Sequence, residues 1–187
     1  MQTLHPMNQG STSLVLRFRP STVEWVCLLL GTALIYYYAW MMDDAYIYFR
    51  YADNLVLHGQ GLVFNAGEYV EGFSSPLWML FIAGTRWLGL NFWDTVRITG
   101  VLSFAAFWYM ACVVNRTLTP VSQRSLTLNI PLVYLSLNYA IASYFTSGLE
   151  TPFILLIAAV YALLILQPKN TALQLLVGLS PMLRPEL

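Results

Sequence analysis

Charge is what this sequence has least of. Of its 187 residues only 10% are Asp, Glu, Lys or Arg, where an average soluble domain carries about a quarter. The hydrophobic share is 58% and mean hydropathy is +0.60, so a soluble core alone does not account for the composition. Net charge is zero, which implies no polyanion partner and no nucleic acid. Cysteine is as sparse: Cys27 and Cys112 both lie in apolar runs. They give neither a disulfide framework nor metal-ligand spacing and are expected to be small buried hydrophobes. With only His5 and His58 there is no His/Cys cluster for zinc. A cleavable signal is missing too. Arg17 and Arg19 precede the first apolar run as an n-region would, but the run is too long for an h-region and no small-residue cleavage site follows.

Apolar runs are what the sequence has in abundance. Residues 1–21 read as a polar cytoplasmic tail. Residues 22–42 are long enough to cross a bilayer, which takes roughly 20 residues, and Tyr36, Tyr37, Tyr38 and Trp40 sit where an aromatic belt belongs. Residues 45–57 predict an amphipathic helix lying in the interface, with Tyr46, Arg50, Asp53 and Asn54 on one face and Tyr48, Ala52 and Leu55 on another. Gly59 and Gly61 stop it. Pro76 opens a second short helix over 76–90, which carries Arg86 and falls short of a span. Further membrane helices are expected at about 95–114, 127–146, 152–166 and 171–187. The expected class is therefore all-α, a polytopic integral membrane protein whose outer loop, 43–94, carries two juxtamembrane helices.

Arginine and lysine decide the orientation. If 76–90 does not cross, Arg17, Arg19, Arg116, Arg124 and Lys169 all lie inside; if it crosses, the last three move outside and the positive-inside bias is lost. The first arrangement puts Asp43, Asp44 and Glu150 together on the outer face. The sequence closes at Arg184-Pro185-Glu186-Leu187, shortly after a new apolar helix has begun at Thr171, and is expected to be a truncated piece of a longer membrane protein.

Five of the nine carboxylates fall between Met41 and Trp78: Asp43, Asp44, Asp53, Glu68 and Glu71. Two readings of the Asp43–Asp44 pair stand. The acids stop one helix and cap the next, or they form a reaction site at the membrane surface. Paired carboxylates suit a general base, because mutual repulsion can hold one protonated while the other is ionised. They equally suit a divalent cation, for which Asp43 and Asp44 are the candidate ligands. Arg50 either snorkels, pairs with Asp53 at i,i+3, or meets a lipid phosphate at that depth. Glu150, in SGLE at a break between apolar runs, is either a helix N-terminal acid favoured by the dipole or part of the site. Glu68 and Glu71 read as solvated loop acids, and the aromatic residues nearby fit an interfacial belt.

The stretch DDAYIYFRYADNLVLHGQGLVFNAGEYVEGFSSPLW (Asp43–Trp78) resembles the first outer loop of the GT-C membrane glycosyltransferases, in particular the bacterial branch that includes the mycobacterial terminal arabinofuranosyltransferases. SGLETP (Ser147–Pro152) and LRPE (Leu183–Glu186) resemble two later motifs of that branch, in the same order. The resemblance covers roughly residues 22–187. It implies a multi-pass enzyme of the bacterial cytoplasmic membrane, active on the outer face, that transfers a sugar with inversion from a polyprenyl-phosphate donor to a glycan or other cell-envelope acceptor. It implies Asp43 as general base with Asp44 beside it, and Arg50, Glu71, Glu150, Arg184 and Glu186 as substrate-binding residues. Two other readings of the chain are a non-catalytic GT-C-like subunit and a lipid-linked-sugar transporter. The transporter would favour ionisable residues inside the helices, whereas here the acids cluster in a loop.

Overall fold

The computed structural model describes residues 20–119 and 130–185, and among them every regular element is a helix. The all-α expectation is met. The expected tail with Arg17 and Arg19, the Arg124 loop, positions 127–129 and Glu186 lie outside the described residues.

Helix α1 (Thr22–Tyr37) starts at a capping box: Ser21 Oγ accepts from the Glu24 backbone N–H, and the Glu24 carboxylate accepts from that of Ser21. The same carboxylate, 1% exposed, accepts from Arg116 Nε at 3.0 Å and from its Nη2. Arg116 lies near the end of α4 (Phe92–Leu118), and at the other end of α4 Arg97 sits over the Tyr36 ring. The two helices are therefore antiparallel, tied at both ends. Between them and the pair α5 (Ile130–Leu137) and α6 (Tyr139–Tyr144) lies one core, built on Ile35, Phe104, Trp108, Leu132 and Phe145. Gly100 brings two backbones together there: a Cβ would stand 2.5 Å from the Phe145 carbonyl oxygen. Helix α7 (Thr151–Leu166) packs on α4, and α8 (Thr171–Gly178) packs on α7.

A second core crosses one end of this bundle. There α2 (Ala45–Val56) lies against α3 (Pro76–Trp87) over Tyr48, Phe49, Tyr51, Ala52, Met79 and Ile82. Met41, Phe92, Leu149 and Phe153 pack against it and join it to the bundle. The short α9 (Ser180–Leu183) closes against α3.

Several expected segments differ. The first apolar run is helical only to Tyr37, because residues 38–42 turn across the bundle end to meet a distant segment: Trp40 Nε1 donates to the Ser143 carbonyl at 2.9 Å and the Met42 N–H to that of Ser147 at 2.8 Å. The run 127–146 is not one helix. It breaks at Asn138, whose side chain accepts from the Ile141 N–H at 3.1 Å and restarts the chain as α6. The run 171–187 divides at Leu179 between α8 and α9 and ends in extended backbone at Arg184. Helix 95–114 is longer than expected, and 76–90 stops at Trp87. Within α3, Trp78 is buried at 1% exposure and Trp87 is 76% exposed. Among the described residues one helix, Phe92–Leu118, is long and apolar enough to cross a membrane by itself.

The join between the two cores turns on Gly148, at φ +81°. A Cβ there would lie 2.6 Å from that of Ala45, and its carbonyl accepts from Trp78 Nε1 at 3.1 Å. Gly148→Ala should therefore lose stability twice, by about 1–2 kcal/mol for the left-handed backbone and about 1–3 kcal/mol for overpacking. Thermal unfolding in detergent checks this against Gly178→Ala, which meets open space in α8 and should unfold at or slightly above the wild-type temperature.

Candidate functional site

The acids are brought together where α2 begins. A cavity of about 240 Å³ is lined by Asp44, Ile47 and Tyr48 of α2, by Gly72, Phe73 and Ser74 of the loop before α3, and by Leu149, Glu150 and Arg184. Each side chain is there for a local reason. Asp44 occupies the N-cap position of α2, but its backbone is already helical and its side chain caps nothing. The capping reading of the acid pair thus has no hydrogen bond behind it, and the Asp44 carboxylate is left exposed at the cavity wall.

Glu150 stands at the N-cap of α7, likewise without a side-chain capping bond. Its carboxylate, 2% exposed, turns to Arg184 and accepts from Nε at 2.6 Å. Arg184 follows directly on α9, where the chain leaves the helix, so its guanidinium swings back over the start of α7. Among the lining residues Arg184 is the one cation, beside the two carboxylates of Asp44 and Glu150. Tyr48 is 5% exposed. Burial raises its phenol above the ordinary value, groups of Ser74 and Ser75 draw it down by hydrogen bonding, and the nearby Glu150 charge raises it again. Its hydroxyl is protonated at neutral pH and serves as a donor rather than a base.

No family model, curated protein or solved structure matches the chain. Its site is read from its own residues.

The other expected site residues are placed differently. Asp43 is exposed beside Asp44 but does not line the cavity. Arg50 is exposed on the far side of α2, its Nε donating to the Phe64 carbonyl at 3.2 Å. It does not pair with Asp53, whose carboxylate accepts from Arg86 Nε of α3 at 2.7 Å. Asn54, expected on the polar face, is 1% exposed and donates to the Val63 and Phe64 carbonyls. Glu71 is exposed in the loop, next to the cavity residue Gly72 but outside the lining. Ser74 carries no sequence signal, and Tyr48 reads from sequence as an aromatic of the interface rather than as a hydroxyl donor. Tyr48 was assigned by periodicity to the apolar face, and that same burial is what brings its hydroxyl to the site.

A divalent cation finds few protein ligands here. Among the described residues no group of three or more His, Cys, Asp or Glu converges, and Glu150 is committed to Arg184. A magnesium-like ion on Asp43 or Asp44 would take its remaining oxygens from water or a phosphate, as such ions commonly do.

Proposed function

We propose that this chain is a polytopic membrane glycosyltransferase of GT-C type, acting at the outer face of a bacterial cytoplasmic membrane on a polyprenyl-phosphate sugar. The observation that carries the reading is the convergence of Asp44, Glu150 and Arg184 on one cavity. Each belongs to a different one of the three stretches in which the resemblance was found.

The membrane part of the reading is supported by the outward faces of the bundle. Val23, Trp25, Val26, Leu29 and Leu30 of α1, Ile98 and Leu102 of α4, Ile130 and Tyr134 of α5, Ile165 of α7 and Leu175 of α8 are all well exposed. So much apolar surface, spread over five helices, calls for lipid or protein cover. At 12 residues α3 measures about 18 Å against roughly 30 Å of hydrocarbon, so it lies at the surface in this reading. Of the acids in the described residues only Glu24 is at the Arg116 end.

The chemistry follows from the cavity. A polyprenyl chain stays in the bilayer, so its phosphate and sugar meet an outer acceptor at the interface. Asp44, open to solvent, takes the proton of the acceptor hydroxyl as that oxygen attacks the anomeric carbon. The bond to the phosphate breaks on the opposite face, and its electron pair leaves on the phosphate, so the anomeric centre inverts. Glu150 holds Arg184, whose charge offsets the departing phosphate. Tyr48 donates to the acceptor sugar. Asp44 replaces Asp43 as the proposed base because it alone of the two faces the cavity. The test is purified protein with a panel of polyprenyl-phosphate sugars and a glycan acceptor, following glycan product and released polyprenyl phosphate together. Donor movement across a liposome without glycan product would favour a transporter instead; neither event with any donor would favour a non-catalytic subunit.

Topology has its own test. Helix α7 leads from Glu150 at the cavity to Lys169 at the other end of the bundle. In a background lacking Cys27 and Cys112, Glu68→Cys should react with an impermeant thiol reagent in sealed cells, and Lys169→Cys should react only after lysis. Equal labelling of both in sealed cells rejects the arrangement.

A further inference from the structure

Helix α2 is a partition with a cavity on each side. Successive residues turn by about 100°, so Asp44, Ile47 and Tyr48 face one cavity while Tyr46 and Phe49 face another, of about 550 Å³. The second is completed by Met41, Arg86, Asn91, Phe92, Trp93, Asp94 and Arg97. None of its polar residues takes part in the chemistry proposed above.

Its two arginines are in unlike states. Arg86 is answered by Asp53 at 2.7 Å and also reaches the Leu90 carbonyl. Arg97 has no carboxylate partner among the described residues. It is wedged between two rings, 5.4 Å from the Tyr36 centroid and 5.3 Å from that of Trp93. Its Nε is buried and makes no hydrogen bond. Asp94 shares the cavity, but its carboxylate is exposed and accepts from the Asn91 side-chain amide at 2.5 Å, while its backbone N–H donates to Asn91 Oδ1 at the helix cap. Ring faces hold a guanidinium in place without satisfying its N–H groups, and a half-buried cation with one buried, unmet donor calls for an anion. The position tells which kind. Arg97 lies in the second turn of α4, beside the last turn of α1. Ile98 and Leu102, next along α4 toward the middle of the helix, are exposed apolar side chains. A group with a phosphate at Arg97 and a hydrocarbon tail over Ile98 and Leu102 matches both.

We propose that this second cavity binds the phosphate of a membrane glycerophospholipid, held by Arg97 between Tyr36 and Trp93 and separated by α2 from the transfer cavity. The proposal rests on the membrane reading above and not on the transferase reading. A phosphate takes two N–H groups of a guanidinium side by side, so lysine should replace arginine only in part.

The experiment is thermal unfolding of the purified chain in neutral detergent, titrated separately with phosphatidylglycerol, undecaprenyl phosphate and inorganic phosphate. Phosphatidylglycerol should raise the unfolding temperature of the wild type. Arg97→Gln should weaken its apparent affinity by about tenfold or more, the usual order for a lost charge-assisted pair. Arg97→Lys and Trp93→Leu should fall between, and either serves if Arg97→Gln folds poorly. Lys169→Gln, at the other end of the bundle, controls for general loss of positive charge and should bind as wild type. An Arg97-dependent response to inorganic phosphate as strong as that to the lipid would overturn the lipid assignment. A response to undecaprenyl phosphate alone would overturn the second site, making the cavity part of the donor path. Equal shifts in wild type and all Arg97 variants would overturn the proposal outright. None of these outcomes depends on turnover, so the lipid site and the transferase reading stand or fall separately.

Discussion

Asp44→Asn is expected to slow glycosyl transfer by about 10²–10⁴-fold, the usual loss when a positioned base is removed, and to leave donor-lipid binding largely intact. The change keeps the shape of the side chain and removes only its basicity. Asp43→Asn should cost much less, since Asp43 is exposed and outside the cavity lining. Steady-state rates and donor binding on the same protein preparations separate the cases. A dead Asp43→Asn beside an active Asp44→Asn would return the base to Asp43. Two fully active variants would mean that the acid pair has no part in the chemistry and that the cavity must be read another way.

Arg116→Ala should be the most destabilising single change at the opposite end of the molecule, by about 3–5 kcal/mol, because it leaves a buried carboxylate without its cation. Glu24 is 1% exposed, and Arg116 is the residue that ties the start of α1 to the end of α4. Replacing both, as Glu24→Gln with Arg116→Met, should recover a large part of the loss, since the buried charge goes with its partner. Unfolding midpoints of the two single variants and the double variant, measured in one detergent, give the coupling directly. Additive losses would show that the pair contributes little and that each side chain matters separately.

Local chemistry was readable in the sequence wherever a few neighbouring residues decide the outcome. Pro76 does open α3, with Ser75 accepting from the Trp78 N–H at its cap. Gly59, at φ +63°, does follow the end of α2. Apolar periodicity put Tyr48 and Ala52 on the buried face of α2. What was not readable depended on partners far along the chain. Nothing near Trp40 says that the helix must stop at Tyr37; the reason is a carbonyl at Ser143. Asn138 looks like one polar residue in an apolar run until its side chain is seen capping α6. Arg50 and Asp53 have ideal i,i+3 spacing, yet the Phe64 carbonyl and Arg86 take them separately. Within the candidate site, resemblance singled out Asp44, Glu150 and Arg184 individually. The ion pair between the last two, and the exclusion of Asp43 and Glu71 from the lining, needed coordinates.

The hydrogen bonds from Trp40, Met42 and Trp78 onto the segment 143–148 bear on how such a protein can be re-engineered. Residues 40–78 and 143–150 meet through main-chain carbonyls and through a glycine that tolerates no side chain, so each is a mould for the other. A chimera that takes residues 40–78 from a related sequence should therefore misfold or lose its cavity unless residues 143–150 come from the same parent. One that takes both should keep it, even though about 65 residues of foreign bundle lie between the two grafts.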